Sequence, residues 1–185
     1  LVPRLWLLSL SYQCRVFQQM RVDEIVTDVL KQAGLGSRDF RFALRATLPM
    51  REYCVQYRET DLDFVQRLLE HEGIYYFFEH AMGQLKLVLA DSMGAHHPLP
   101  EYAQIPYIAP DAATFADEEH VQSWIVSKEV NPGGFVTDDF DFRKPRAKLQ
   151  QWNLHAYEHP NAEYRIYDYP GGYTEISEGE FYTKV

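Results

Sequence analysis

Three observations predict an α+β, β-rich fold. Two stripes of helical period each end at a glycine, runs of aromatic and β-branched residues of strand length separate and follow them, and the composition is rich enough in apolar residues to build a core. The chain has 185 residues, 46% hydrophobic and 24% charged, which excludes a disordered polypeptide and leaves room for one large or two small domains. Aromatic residues reach 15%, dominated by 13 Tyr and 11 Phe, a bias that suits sheet surfaces and faces between subunits.

Taken in order, residues 4–18 read as a strand and 22–33 as a helix. On that helix Val22, Ile25, Val26, Val29, Leu30 and Ala33 share one stripe, and Gly34 stands where the chain must turn away. Its start is weakly capped, because Arg21 occupies the place of a Ser or Asp unless Asp23 or Glu24 compensates. A strand follows at 40–46, and another ends near Tyr57. Thr60 is then a natural N-cap, Asp61 and Asp63 sit at the positive end of a helix dipole, and Leu62, Val65, Leu68 and Leu69 fall on one face. Gly73 closes that helix. Residues 74–80 and 85–90 form a hairpin through Ala81, Met82, Gly83 and Gln84, and the apolar run Ile74, Tyr75, Tyr76, Phe77, Phe78 calls for cover on both faces of its strand.

Between 91 and 117 the chain carries Pro98, Pro100, Pro106 and Pro110 and reads as a connecting segment. Beyond it 121–130, 135–142 and 163–169 are strand-like, with turns at Asn131, Pro132, Gly133, Gly134 and at Pro170, Gly171, Gly172. No stop signal follows Phe181 and Tyr182, so the sequence reads as part of a longer polypeptide.

Charge narrows the partners. With 18 basic and 27 acidic residues the net charge is −9, which disfavours neutralisation of nucleic-acid phosphates and attraction to anionic membrane surfaces. No run approaches the ~18 uninterrupted apolar residues of a transmembrane helix. The N-terminal LVPRLWLLSLSY lacks the cationic start and small-residue cleavage site of a signal peptide. Cys14 and Cys54 form no CxxC pattern and read as reduced, buried thiols.

Chemistry has few footholds. His155, Glu158 and His159 match the H-x-x-E-H pattern in which a helix offers two histidines to zinc and a glutamate as base, so a zinc-dependent hydrolase is the rival reading. Pro160 opposes it by pushing His159 towards extended backbone. His96 and His97, followed by Pro98, read as a solvated loop, and Glu70, His71 and Glu72 as a solvated helix end. No G-x-S-x-G elbow, P-loop or dinucleotide-binding glycine pattern is present, so no catalytic, cofactor-binding or metal residue is assigned.

Four blocks in order carry a resemblance: PRLWLL at 3–8 with CRVFQ at 14–18, YRETDLDFVQRLLEHEGIYYFFEH at 57–80, DFDFRKP at 139–145 and YDYPGGY at 167–173. Together they resemble the VgrG family, the tip proteins of type VI secretion systems, which are similar in fold to phage tail baseplate hub proteins. The resemblance implies small β-barrel hub domains with helical insertions. Residues 1–92 would be the end of a first hub barrel, 93–118 a Pro-rich connection and 119–185 part of a second hub β-domain. It also implies a structural, non-enzymatic role. The full-length protein would be a homotrimer docked on the hexameric Hcp tube beneath a membrane-piercing needle, assembled in the bacterial cytoplasm and exported, with effectors as possible cargo. A phage tail baseplate hub is the alternative within the same fold.

Overall fold

The computed structural model describes residues 2–81, 83–109, 119–155 and 157–185. Met82 of the expected hairpin turn and residues 110–118 of the Pro-rich connection lie outside that set.

The chain opens with a 3-10 helix, Arg4–Leu10, where a strand is expected. Leu5 and Leu8 explain the difference: they are three apart, and 3.0 residues per turn eclipses them on one side, where both are buried. The strand begins later, as β1 (Tyr12–Arg21), and pairs antiparallel with β3 (Met50–Thr60) to make a two-stranded ribbon. Register slips between Gln13 and Cys14, and Arg58 opposite the slip takes a left-handed φ of 49° as the extra residue of a bulge.

Between these strands stands α1 (Val22–Gln32), and after them α2 (Asp61–His71). The weak cap of α1 is repaired in one direction, since Glu24 Oε2 accepts from the Arg21 backbone N–H at 2.8 Å. On α2 the Thr60 hydroxyl accepts from the Asp63 N–H at 2.9 Å, as its residue type predicts. Val65, Leu68 and Leu69 are buried as the stripe requires, Leu62 is only half-buried, and Phe64 joins the core instead by stacking on Phe17 at 5.7 Å between centroids. Asp61 does more than face the dipole. It is buried and accepts from Arg15 of β1 and from Gln56 Nε2 of β3 at 2.9 Å, tying the helix start to both ribbon strands. Gly73 (φ 66°) ends α2 in the left-handed region.

A three-stranded sheet follows, ordered β2-β5-β4, from β2 (Phe40–Ala43), β4 (Tyr75–Ala81) and β5 (Gln84–Ala90). The strand covered on both faces is β5, not β4. Being central, β5 buries Leu87, Val88, Leu89 and Ala90, whereas β4 is an edge whose Tyr75, Tyr76, Phe77 and Phe78 are half-buried. Over the outer side of β5 an ion pair joins the two edge strands, Arg41 Nη2 to Glu79 Oε1 at 2.5 Å, and Val88 beneath it is 0% exposed.

The second half holds β6 (Gly134–Thr137), β7 (Gln151–Leu154) and β8 (Arg165–Asp168) in the order β7-β6-β8, then α3 (Ile176–Tyr182). Neither β7 nor α3 is legible as such in the sequence. The expected strand at 135–142 stops at Thr137 because the Asp139 carboxylate turns to cap the backbone N–H groups of Gly172 and Tyr173, at 2.6 and 3.2 Å. Gly171 is obligatory, since a Cβ there would lie 2.3 Å from the Tyr173 ring and 2.4 Å from Thr137 Oγ1. The expected strand at 121–130 is not formed either: Val121 alone bridges, to Tyr107.

The fold is therefore α+β, as expected, but the described sheets are open. Two, three and three strands stand where closed barrels are expected, because in each sheet the outermost strands have no hydrogen-bonded neighbour to complete a circle.

Candidate interaction surface

The expected chemical groups do not converge. His155 continues β7 by donating its backbone N–H to the Gly133 carbonyl at 2.7 Å, and His159 lies in a turn against the Pro160 carbonyl. The described residues of this run are not helical, and Ala156 lies outside them. Among the described residues no group of three or more His, Cys, Asp or Glu is arranged to hold a metal. Cys54 is buried and its thiol is pushed up by that burial, the wrong direction for a nucleophile. Cys14, expected to be buried, is exposed because it lies on the outer side of the ribbon, opposite Tyr57 and just past the bulge at Arg58 of β3.

In the two clusters expected to be solvated, His96 and Glu72 make packed contacts. His96, although exposed, stacks on Phe77 at 4.2 Å and meets the Tyr75 hydroxyl at 3.0 Å, so residues 92–96 strap the outer face of β4. Glu72 is the sharper correction: at 2% exposure it is buried, and its Oε1 accepts from Arg51 Nη2 at 2.6 Å. Burial pushes its carboxyl up, yet hydrogen bonds from His71 and Arg51 outweigh that and hold it below the ordinary glutamate value. Nothing local to residues 70–72 signals this burial, because β3 and α3, remote in the chain, bring Arg51 and Tyr182 to Glu72.

What the described residues present instead is exposed apolar area, on two sheet faces and on one unpaired strip. On the outer face of the ribbon Val16 pairs with Val55, Cys14 with Tyr57 and Gln18 with Tyr53, and Tyr57 is 64% exposed. The inner face, by contrast, carries Phe17 and Cys54 against the helices. In the β7-β6-β8 sheet, Tyr173 and α3 cover one side: Asn153 Nδ2 donates to the Thr183 carbonyl at 2.5 Å, and Gly179 admits the Tyr173 ring. The opposite side shows Trp152, Leu154 and Tyr167, with the Arg165 guanidinium 5.3 Å from the Trp152 ring centre. A third strip is 121–130 itself, where Trp124 is 73% and Ile125 89% exposed. Exposed aromatic area of this kind is characteristic of interaction surfaces. Among the described residues no helix is long and apolar enough to cross a membrane.

The profile of the phage tail baseplate hub (GPD) family matches residues 1–185. The type VI secretion system spike protein VgrG1b of Pseudomonas aeruginosa is 42% identical over 183 residues, covering 99% of this chain and 24% of the relative. VgrG1a of the same organism is 42% identical over 98% of this chain and 28% of its own length. The actin cross-linking toxin VgrG1 of Vibrio cholerae is 32% identical across the whole chain, which corresponds to 16% of that protein. The chain thus spans about a quarter of the P. aeruginosa relatives. Among solved structures, the E. coli c3393 protein, described as a type VI secretion component similar to the T4 bacteriophage tail proteins gp27 and gp5, matches 51% of this chain and 27% of its own. The match has a TM-score of 0.50 and 33% identity. Four sequence blocks, two capped helices and open aromatic sheets, similar to the VgrG spike proteins of type VI secretion, thus agree with a profile that spans every residue: the chain belongs to the phage tail baseplate hub (GPD) family.

Proposed function

We propose that this region is the docking hub of a type VI secretion tip, a structural and non-enzymatic part that trimerises and seats on the Hcp tube. The needle and any effector are carried by regions outside residues 1–185. The observation that carries this reading is the exposed apolar area on two sheet faces and on the 121–130 strip, with no convergent acid, base or metal set among the described residues. An isolated monomer gains nothing from Tyr57, Trp124 or Trp152 in water, whereas a ring of subunits buries them. The open sheets fit the same reading, because barrels close once further strands of the full-length protein lie beside them. Assembly takes place in the bacterial cytoplasm and export follows through the secretion machine. A phage tail baseplate hub would use the same surfaces.

Deleting residues 57–80 from the native gene tests the reading, with Hcp in the culture supernatant as the measurement. Export is expected to fail. Undiminished export in cells that lack any second tip protein would sink the hub assignment.

A further inference from the structure

Glu72 poses a question that the hub reading does not answer. Its side chain is fully enclosed, yet Oε2 has no hydrogen-bond partner, and neither has Nε of Arg51, the residue that neutralises it. A buried ion pair that leaves one acceptor and one donor unsatisfied gains little over the same residues in water. The pair does not by itself explain why it is shut in.

The lid is the C-terminal helix. The Tyr182 ring stands 4.7 Å from the His71 ring, edge to face, and Tyr182 is half-buried, its phenol pushed up by burial and by the Glu72 charge. Val185 packs over the end of α2 so closely that a Cβ on Gly73 would lie 2.7 Å from Val185 Cγ1. Beside this contact runs an open cleft of about 890 Å³, lined by Arg51, His71, Tyr173 and Tyr182 among others. A small outward movement of α3 would bring water from that cleft to the two unsatisfied atoms.

We propose that α3 is a releasable clasp, closed over the Arg51 and Glu72 pair, that joins the β6 to β8 half of the chain to the α1/α2 half and can open without unfolding either. In the closed state Tyr182 and Val185 cover the pair and the end of α2. The open state is wet and favoured by hydration of the pair. Arg51 and Glu72 act as positioning residues, since each acts through α3 and neither touches a partner in this role. All groups of the clasp lie within one chain, so its test needs no trimer.

Hydrogen exchange read by mass spectrometry on the 185-residue protein tests it, with the amides of α1 as the control for folding. Peptides covering 69–74 and 176–185 are expected to exchange together and faster than α1. Tyr182→Ala is expected to raise exchange at 69–74 at least tenfold and leave α1 unchanged. Glu72→Gln leaves Arg51 without a counter-charge and loosens 176–185. The double variant Arg51→Met with Glu72→Met removes both unsatisfied atoms and slows exchange at 176–185 below the parent rate. Exchange at 176–185 that is equal in parent and double variant, or independent of exchange at 69–74, would overturn the clasp. A double variant as loose as Glu72→Gln would overturn it as well.

Discussion

Leu68 shows how much one residue holds. It is fully buried on α2 beneath the ribbon, so truncation leaves a cavity that the surrounding helices cannot fill. Leu68→Ala is expected to destabilise the protein by about 2 to 5 kcal/mol in urea denaturation. A change below about 0.5 kcal/mol, the scale of surface substitutions, would refute the placement of this side chain in the core. At His155 and His159 the residue scale speaks against zinc, because a turn after β7 replaces the helix that would align them. Protein purified without chelator is expected to hold far less than one zinc per chain by elemental analysis. A stoichiometric content lost on His155→Ala would restore the hydrolase reading.

At the scale of elements, caps and central strands decide what forms. Thr60 satisfies an orphan amide of α2 and no other described group replaces it at Asp63, so Thr60→Ala is expected to cost about 1 kcal/mol. Thermal unfolding that leaves the midpoint in place would show the cap to be redundant. Each three-stranded sheet uses an arginine on one edge strand to reach over the central strand, Arg41 to Glu79 above Val88 and Arg165 to Trp152 above Val136. Gly134 makes the second reach possible, since a Cβ there would lie 2.9 Å from Leu154 and 3.0 Å from Arg165. The joint between α2 and α3 also sets an acid limit. Glu72 is held below the ordinary glutamate value in the folded state, so its ionised form stabilises the fold at and above the unfolded value of about 4.3. That contribution disappears as pH falls from there through the lower folded value. Denaturant titrations at pH 7 and pH 3.5 should therefore show a larger loss for the parent than for Glu72→Gln, and equal losses would mean that Glu72 does not carry the effect.

For the whole molecule, the exposed faces predict a separation of folding from assembly. Tyr57→Asp and Ile125→Asp each place a charge on an exposed apolar face, so both variants are expected to match the parent in circular dichroism and to stay within about 0.5 kcal/mol of its stability. Under the proposed hub role the same changes would bury charge between subunits of the full-length protein, so trimer mass by light scattering and Hcp export are both expected to fall. Normal assembly of both variants would remove these faces from the interface.

The two helices and their caps, the glycine stops, the 74–90 hairpin and the absence of a phosphate-binding or nucleophile motif were all legible in the sequence by itself. Each rests on contacts within one turn or between adjacent residues, where spacing and residue type are enough. The family resemblance was equally legible, because it is carried by short ordered blocks. Tertiary structure alone decided which strand is central, that Leu5 and Leu8 wind a 3-10 helix, that 121–130 stays unpaired beyond Val121, and that Glu72 is buried. These outcomes depend on partners remote in the chain: Arg51 is 21 residues from Glu72, and Tyr182 reaches it from the far end of the molecule. A local pattern states what a residue prefers, while burial is set by what the rest of the chain lays over it.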